Sequence, residues 1–180
     1  LDEALIVVNP YGMSPLSAVA VFSTEEACGG TVTVKGKSAE NDVTGTFEEA
    51  TEHIVPIYGL YNNDTTEVVI TLDDGTSATF EVTTEDIGVD YGTIQTEMKS
   101  EASYDYSNLT FVCSTMGTLY GVDAAGDIRF FTNIGGTLGV HQLENGHLLM
   151  PASYVLKSSY YKEGMIEVDL LGKIYREYMI

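Results

Sequence analysis

Histidine is the residue type in this sequence best suited to nucleophilic or acid–base chemistry, because a neutral imidazole is a competent nucleophile near pH 7. His141 and His147 lie six positions apart, on either side of an Asn-Gly turn. Neither a nucleophilic serine or cysteine at triad spacing nor a third metal ligand accompanies them. The pattern favours structural roles, with His147 ordering the turn and His141 the better of two weak catalytic candidates. His53 stands alone on a strand-like run and is predicted to be a partly buried structural residue.

Acidic residues and cysteines are the other groups that could bind a metal, and neither predicts a site. The first half contains no Asp-x-Asp-x-Asp-Gly loop followed by a glutamate, so solvated charge is favoured over calcium binding. The acidic residues concerned are Glu48, Glu49, Glu52, Asp73, Asp74, Glu85 and Asp86. Cys28 and Cys113 lack Cys-x-x-Cys or Cys/His spacing, which predicts two unpaired thiols. No catalytic, cofactor-binding or metal-binding residue is therefore assigned within the chain.

The charge of the 180-residue chain narrows the possible functions. Its 27 acidic and 8 basic residues give a formal net charge of −19, which would repel nucleic acid and anionic membranes. The hydrophobic fraction of 44% is too high for a disordered acidic tail. No apolar run approaches the roughly 20 residues that span a bilayer. We expect a folded, soluble protein that binds no nucleic acid and does not insert into a membrane.

The same charges are divided unevenly along the chain. Residues 1–98 contain 18 acidic and 2 basic residues, whereas residues 99–180 contain 9 acidic and 6 basic residues. Such a break in composition predicts two structural units. We expect the first domain over residues 1–86, a linker over 87–104 and a second domain over 105–180.

The first unit is predicted to be a small β-sandwich. Short runs rich in Val, Ile, Thr and Phe recur between turn-forming residues, as in immunoglobulin-like or fibronectin-like domains. In residues 31–35 the alternation places Val32 and Val34 on one face and the polar residues on the other. Turns are predicted at 9–12, 28–30, 61–64 and 73–76. The seven predicted strands are 5–8, 18–22, 31–35, 43–47, 53–57, 67–72 and 78–83.

The second unit contains a sequence repeat. The motif Val-Asp-x-x-Gly-x-Ile at 122–128 recurs at 168–174, an offset of 46 positions. Each copy predicts a hairpin in which a strand reverses through x-x-Gly, and a further strand is predicted before each, at 109–114 and 147–152. A period in the forties is typical of a β-propeller blade, and a propeller needs at least four blades. We therefore expect an all-β fold: the sandwich, then the first one to two blades of an incomplete propeller in the N-terminal part of a longer protein.

Ordered motifs along nearly the whole chain carry a resemblance to a known family. In the first unit they are Asn9-Pro10-Tyr11-Gly12, the following Ser14–Ala18 segment, and residues 31–37 and 55–61. In the second unit they are residues 143–149 and 168–173. In this order the motifs resemble the bacterial arylsulfotransferases, which transfer sulfate without a nucleotide sulfate donor. The resemblance covers that family's N-terminal sandwich and the start of its propeller.

The resemblance implies a histidine that takes the sulfuryl group from an aryl sulfate and passes it to a phenolic acceptor. Cationic or hydrogen-bonding groups would stabilise the sulfuryl oxygens. The family's Gly-x-His-His-Asp type segment would follow a strand like residues 173–180 and is not within this sequence. The nucleophile is therefore expected beyond the chain, with no cofactor, and the chain alone is expected to be inactive.

Other residues of the second unit could bind an aryl sulfate. Arg129 and Arg176 follow the two hairpin glycines and are predicted to be solvated strand residues rather than sulfate clamps. The segment 154–161 could line an aromatic substrate entry, although an ordinary surface loop is favoured. The residues considered there are Tyr154, Lys157, Tyr160 and Tyr161.

Two classes of function stay open from the sequence. The first is the N-terminal part of a secreted or periplasmic aryl-sulfate sulfotransferase acting on phenolic and aryl-sulfate small molecules. The alternative is a non-catalytic secreted interaction or adhesion module. Because an incomplete propeller exposes strand edges, a homo-oligomer formed through residues 105–180 is also expected.

Overall fold

A computed structural model describes residues 1, 3–92, 94–97, 109–113, 118–134, 139–152 and 164–179. Within these ranges the regular structure is β-strand apart from one short 3₁₀-helix, Ala39–Asn41. The strands are β1 (Leu5–Val8), β2 (Ser17–Val34), β3 (Val43–Tyr58), β4 (Thr65–Leu72), β5 (Ser77–Thr83), β6 (Thr110–Cys113), β7 (Leu119–Val122), β8 (Ile128–Phe131), β9 (His141–Gln142), β10 (Leu148–Pro151), β11 (Gly164–Val168) and β12 (Ile174–Met179). The predicted all-β fold is confirmed.

Two long strands run through both layers of the first unit. Strand β2 pairs with β3 along its length, while on its other edge its first part pairs with β1 and its last part with β4. The register of β2 and β3 shifts twice between Ser23 and Gly30. The prediction of seven strands was therefore wrong in number, since the runs at 18–22 and 31–35, and those at 43–47 and 53–57, join into two continuous strands.

The glycines that predicted a turn at 28–30 form a bulged bend instead. A Cβ on Gly30 would collide with the backbone carbonyl of Thr71 and with the ring of Phe47. Glycine is required here because neighbouring chains approach the backbone closely, and bulges of this kind redirect a strand without ending it. The bend allows one hairpin to belong to both layers of the sandwich.

The core of the sandwich lies between these two layers. One layer contributes residues such as Ala20, Phe22 and Ile57, and the other contributes residues such as Val34 and Ile70, all of them buried. The predicted alternation at 31–35 is confirmed, because Val32 and Val34 are buried while Thr31 and Thr33 are half-buried. A side chain of the second unit, Phe131, belongs to the same buried cluster. The sandwich core thus extends into the second unit.

The second unit contains two antiparallel sheets of the blade type. One has the order β6-β7-β8 and the other the order β12-β11-β10-β9. The two predicted hairpins are confirmed: the Asp123 and Asp169 amides donate to the carbonyls of Asp127 and Lys173, at 3.0 and 3.1 Å. Gly126 and Gly172 close the two turns with φ of +89°, a conformation that glycine adopts without steric cost.

A third turn of the same type joins β9 to β10. The Leu143 amide donates to the His147 carbonyl at 2.8 Å, and the Gly146 amide donates to the Leu143 carbonyl at 2.9 Å. The four-stranded sheet is therefore two such hairpins in succession. This copy departs from Val-Asp-x-x-Gly-x-Ile at three positions, where it has Gln142, Leu143 and Leu148, so the sequence motif does not reveal it.

Two further predictions lie partly or wholly outside the described residues. The segment 154–161 falls outside them, and the linker over 87–104 includes undescribed positions, so both stay predictions. In the described part of the chain, no helix is long and apolar enough to cross a membrane.

Candidate functional site

His53 occupies a structural position, as predicted. It lies on β3 with 5% of its surface exposed. Its ring stacks on Phe22 with centroids 4.6 Å apart and meets the edge of Phe47 at 5.3 Å. The side chain is thus part of the aromatic packing at the bend of the sandwich.

His147 forms a hydrogen-bonded pair with a glutamate of the neighbouring strand. Its Nδ1 lies 2.8 Å from Oε1 of Glu167, and its ring stacks on Tyr175 with centroids 4.2 Å apart. The same carboxylate accepts a hydrogen bond from the Asn145 amide at 3.2 Å. Because a carboxylate only accepts, this geometry assigns the imidazole proton to Nδ1. The prediction that His147 orders its turn is confirmed, since the pair ties the turn to β11.

The Glu167 carboxylate sets the electrostatics of this cluster. Its pKa is lowered, first by the hydrogen bond to His147 and then by the one to Asn145, with Arg176 adding a smaller effect. Arg176 approaches it at 3.4 Å but is 70% exposed, as predicted for a solvated strand residue. His141 is exposed on β9, opposite Leu149. An anionic carboxylate beside His147 would repel a sulfate ester, so this cluster is poorly suited to sulfuryl chemistry.

Arg129 contradicts its prediction, because it is fully buried rather than solvated. Its Nε donates to the Gly59 carbonyl at 2.6 Å, and its Nη1 donates to the Asn41 carbonyl and the Tyr61 hydroxyl, both at 2.9 Å. Nη1 also lies 3.1 Å from the buried carboxylate of Asp123. The side chain extends from β8 into the loops of the sandwich. These loops cover Arg129, which was predicted to be exposed to solvent.

The ring of Tyr61 completes the surroundings of this guanidinium. The Arg129 Cζ lies 3.9 Å from the ring centroid, within the range of a cation–π interaction. Burial raises the pKa of Tyr61, which keeps the hydroxyl neutral. That hydroxyl also accepts a hydrogen bond from the Lys37 amide at 2.9 Å, and the Lys37 side chain pairs with Asp127 at 2.7 Å. We call Arg129, Asp123, Tyr61, Asn41 and Gly59 the Arg129 cluster.

A second contact region, at Met13, joins the sandwich to both sheets of the second unit. The Asn133 amide donates to the Met13 carbonyl at 2.9 Å, and Met13 packs against the buried cluster of the second unit. Gly172 lies against Met13, so closely that a Cβ would come within 2.6 Å of the Met13 Cβ. Burial raises the pKa of Tyr58 far above its usual range, and the nearby Asp169 carboxylate adds to the effect. The two units therefore meet at two separate places.

In the part of the chain that the structure describes, two cavities and the two thiols add no catalytic group to these clusters. A cavity of about 220 Å³ beside Lys37 and Asp127 is smaller than the roughly 300–1,000 Å³ usual for small-molecule pockets. A cavity of about 460 Å³ is bordered by the carboxylates of Glu85 and Asp86, which would repel an anion. Among the described residues no group of three or more potential ligands could hold a metal ion. Cys28 is half-buried and Cys113 exposed, both as free thiols.

The architecture defines the class of protein: an Ig-like sandwich joined to propeller-type sheets in an all-β chain. Residues 5–91 match the arylsulfotransferase Ig-like domain, and residues 94–180 match the arylsulfotransferase (ASST) family. The chain belongs to the arylsulfotransferase family. No curated protein matches it. Membership supports a sulfotransferase-type function and implies aryl sulfates and phenols as the substrates.

Proposed function

We propose that residues 1–180 are the scaffold portion of a nucleotide-independent aryl-sulfate sulfotransferase whose nucleophilic histidine lies outside them. In such a reaction an imidazole nitrogen attacks the sulfur of the aryl sulfate and the bond from sulfur to the aryl oxygen breaks. The aryl oxygen leaves as a phenol by taking the proton from the other imidazole nitrogen. A second phenol then attacks the sulfo-histidine, the S–N bond breaks, and the proton of that phenol returns to the imidazole, which restores the histidine.

The surroundings of the chain's three histidines carry this proposal. His53 is buried in aromatic packing, and His147 lies against an anionic carboxylate. His141 is exposed on a two-residue strand. Sulfuryl transfer requires donors or cations around the sulfuryl oxygens in a site that excludes water. The described surroundings of these three imidazoles support structural roles better than nucleophilic ones.

The state of the arginines supports the same proposal. Arg129 directs its donors at protein acceptors, so its guanidinium is already satisfied and cannot also clamp a sulfate. Arg176 is exposed at the edge of its sheet and approaches Glu167. Neither arginine is held toward an empty site as a clamp would be. The chemistry that the family requires is thus better placed elsewhere in the propeller, while residues 1–180 support its first sheets.

An assay of sulfuryl transfer tests the proposal. Residues 1–180 and the longest protein that the gene encodes are each incubated with para-nitrophenyl sulfate and a phenol, and release of para-nitrophenol is followed by absorbance. Intact-mass spectrometry reports any sulfuryl adduct on the protein. We expect transfer only from a protein in which residues 1–180 are joined to further propeller blades.

The histidines of the chain provide the decisive control in that assay. If residues 1–180 alone transfer the group, the His141→Ala and His147→Ala variants identify which imidazole is responsible. Loss of the adduct in His141→Ala with retention in His147→Ala would show that the nucleophile is within the chain and that the scaffold proposal is wrong. Absence of transfer from every form of the protein would count against a sulfotransferase altogether.

A further inference from the structure

The Arg129 cluster draws nearly all of its polar partners from the sandwich. The carbonyls of Asn41 and Gly59 and the hydroxyl of Tyr61 lie in the connections that follow β2 and β3. Only Asp123 belongs to the same sheet as Arg129. The guanidinium is therefore satisfied by two neighbouring loops of another structural unit.

A buried guanidinium makes the β6-β7-β8 sheet dependent on those loops. Removing a cation from water is costly unless its donors are hydrogen-bonded and its charge is paired. Without the sandwich, Arg129 would retain the Asp123 carboxylate and lose the acceptors at Asn41, Gly59 and Tyr61. The arrangement of β8 seen here thus relies on the sandwich for three acceptors of its buried arginine.

Apolar contacts between the β7–β8 hairpin and the sandwich also make the hairpin dependent on the sandwich. Phe131, two residues after Arg129, is buried in the sandwich core. Tyr120 and Ile128 pack against that core as well. The β7–β8 hairpin makes both the polar and the apolar contacts with the sandwich. Its folded form therefore buries apolar surface that the isolated sheet would leave in water.

The repeat-related hairpin of β11 and β12 shows that this is a special feature of the first sheet. In the repeat, Tyr175 occupies the position of Arg129, and it is 46% exposed. The next residue, Arg176, is also exposed. The two hairpins share their turn geometry, yet only the first has a buried cation held by the sandwich.

We propose that the sandwich is the folding template of the β6-β7-β8 sheet and that Arg129 is the residue that couples the two. Strands β7 and β8 stay folded while Arg129 is seated in the loops after β2 and β3, and they open when it is removed. The sandwich itself keeps its own paired strands in that event. The inference is independent of the proposed sulfotransferase role, because it concerns assembly of the fold.

Native-state hydrogen exchange of residues 1–180, resolved by mass spectrometry of peptides, tests this coupling. In Arg129→Ala we expect the amides of β7 and β8 to exchange about a hundredfold or more faster than in the wild type. That factor corresponds to loss of one partner of a buried ion pair. Amides of the β4–β5 hairpin should keep their wild-type rates. Arg176→Ala, an exposed arginine on the repeat-related strand, is the matched control and should change neither region.

Every outcome of this experiment decides the proposal. Equal acceleration in β7–β8 and β4–β5 would make Arg129 an ordinary core residue, and unchanged exchange in β7–β8 would remove the coupling entirely. If Arg129→Ala does not yield folded protein, Tyr61→Phe decides by the same criterion, since it deletes only the hydroxyl acceptor. We expect that variant to accelerate β7–β8 by about tenfold, because it removes the hydroxyl that accepts hydrogen bonds from Arg129 and from the Lys37 amide, with β4–β5 unchanged.

Discussion

Substitution of Gly172 by alanine tests the contact between the sandwich and the four-stranded sheet. Gly172 and Gly75 close turns of the same type, each with an amide hydrogen bond of about 3 Å to the residue three positions earlier, and each has φ of +89°. Their surroundings differ. A Cβ on Gly75 would have nothing within 4 Å, whereas one on Gly172 would lie 2.6 Å from the Cβ of Met13. Gly75→Ala is therefore a matched control for backbone strain.

The two variants share one energetic cost and differ in another. A left-handed conformation costs a non-glycine residue about 1–2 kcal/mol, and the lower entropy of the unfolded alanine chain offsets up to about 1 kcal/mol of that. Gly75→Ala should thus reduce the free energy of unfolding by about 1 kcal/mol. Gly172→Ala must also displace Met13, and forced shifts in a packed region add about 1–3 kcal/mol. We expect a total loss of about 2–4 kcal/mol for Gly172→Ala.

Urea unfolding followed by circular dichroism measures both losses in the same chain. With the same slope of free energy against urea, the two variants differ in midpoint alone. The expected order is wild type, then Gly75→Ala, then Gly172→Ala, with the last separated by about 1–3 kcal/mol from the control. Equal losses in the two variants would refute the reasoning, since Met13 and Gly172 would then not be in contact in solution.

Two further predictions concern charged pairs. Lys37→Gln removes an ion pair with Asp127 whose lysine is largely exposed, so thermal unfolding should report a loss below about 1 kcal/mol that shrinks with added salt. The pKa of Glu167 is lowered below its ordinary 4.5, chiefly by its hydrogen bond to His147, so its stabilisation is complete above that ordinary value and is lost as pH falls through the lowered pKa. Melting temperatures are measured as the pH is lowered from above 4.5 through the lowered pKa of Glu167. They should drop more for the wild type than for Glu167→Gln, and parallel curves would exclude a contribution of Glu167 to the pH dependence of stability.

The hairpins of the second unit could be predicted because their geometry is local. In each repeat copy the aspartate carboxylate accepts backbone amides within the turn, as in the bonds of 3.0 Å from Ala125 and Asp127 to Asp123 Oδ1. The glycine supplies the left-handed residue that the turn needs. All the determinants lie within five consecutive positions, so the sequence pattern carries them completely.

The continuity of β2 could not be predicted, because its cause is not local. Consecutive glycines at 29 and 30 are equally compatible with a turn and with a bulge. What distinguishes the two is the approach of Phe47 and Thr71 to Gly30, and both residues come from strands later in the chain. The count of seven strands failed at this point while the all-β fold was correct.

The burial of Arg129 could not be predicted either, because its cause is also non-local. Its acceptors at Gly59 and Asn41 lie 70 and 88 positions away in the sequence. A repeat motif describes a hairpin and its turn, and it contains no information on what packs against the outer strand. The predictions for His53, His147 and Arg176 were correct, and their partners lie within their own unit. The prediction for Arg129 was wrong, because most of its partners belong to the other unit.

The difference between the two hairpins follows from the position of the sandwich. Repeat architectures bury each unit against its neighbours. Here the β6-β7-β8 sheet is also covered by the sandwich, and this cover is polar as well as apolar because Arg129 is hydrogen-bonded to it. An apolar residue at position 129 could pack against any apolar surface. A guanidinium with three acceptors in fixed positions instead allows a single placement of the strand that carries it. The buried arginine therefore defines the placement of the β6-β7-β8 sheet against the sandwich more strictly than apolar burial alone would.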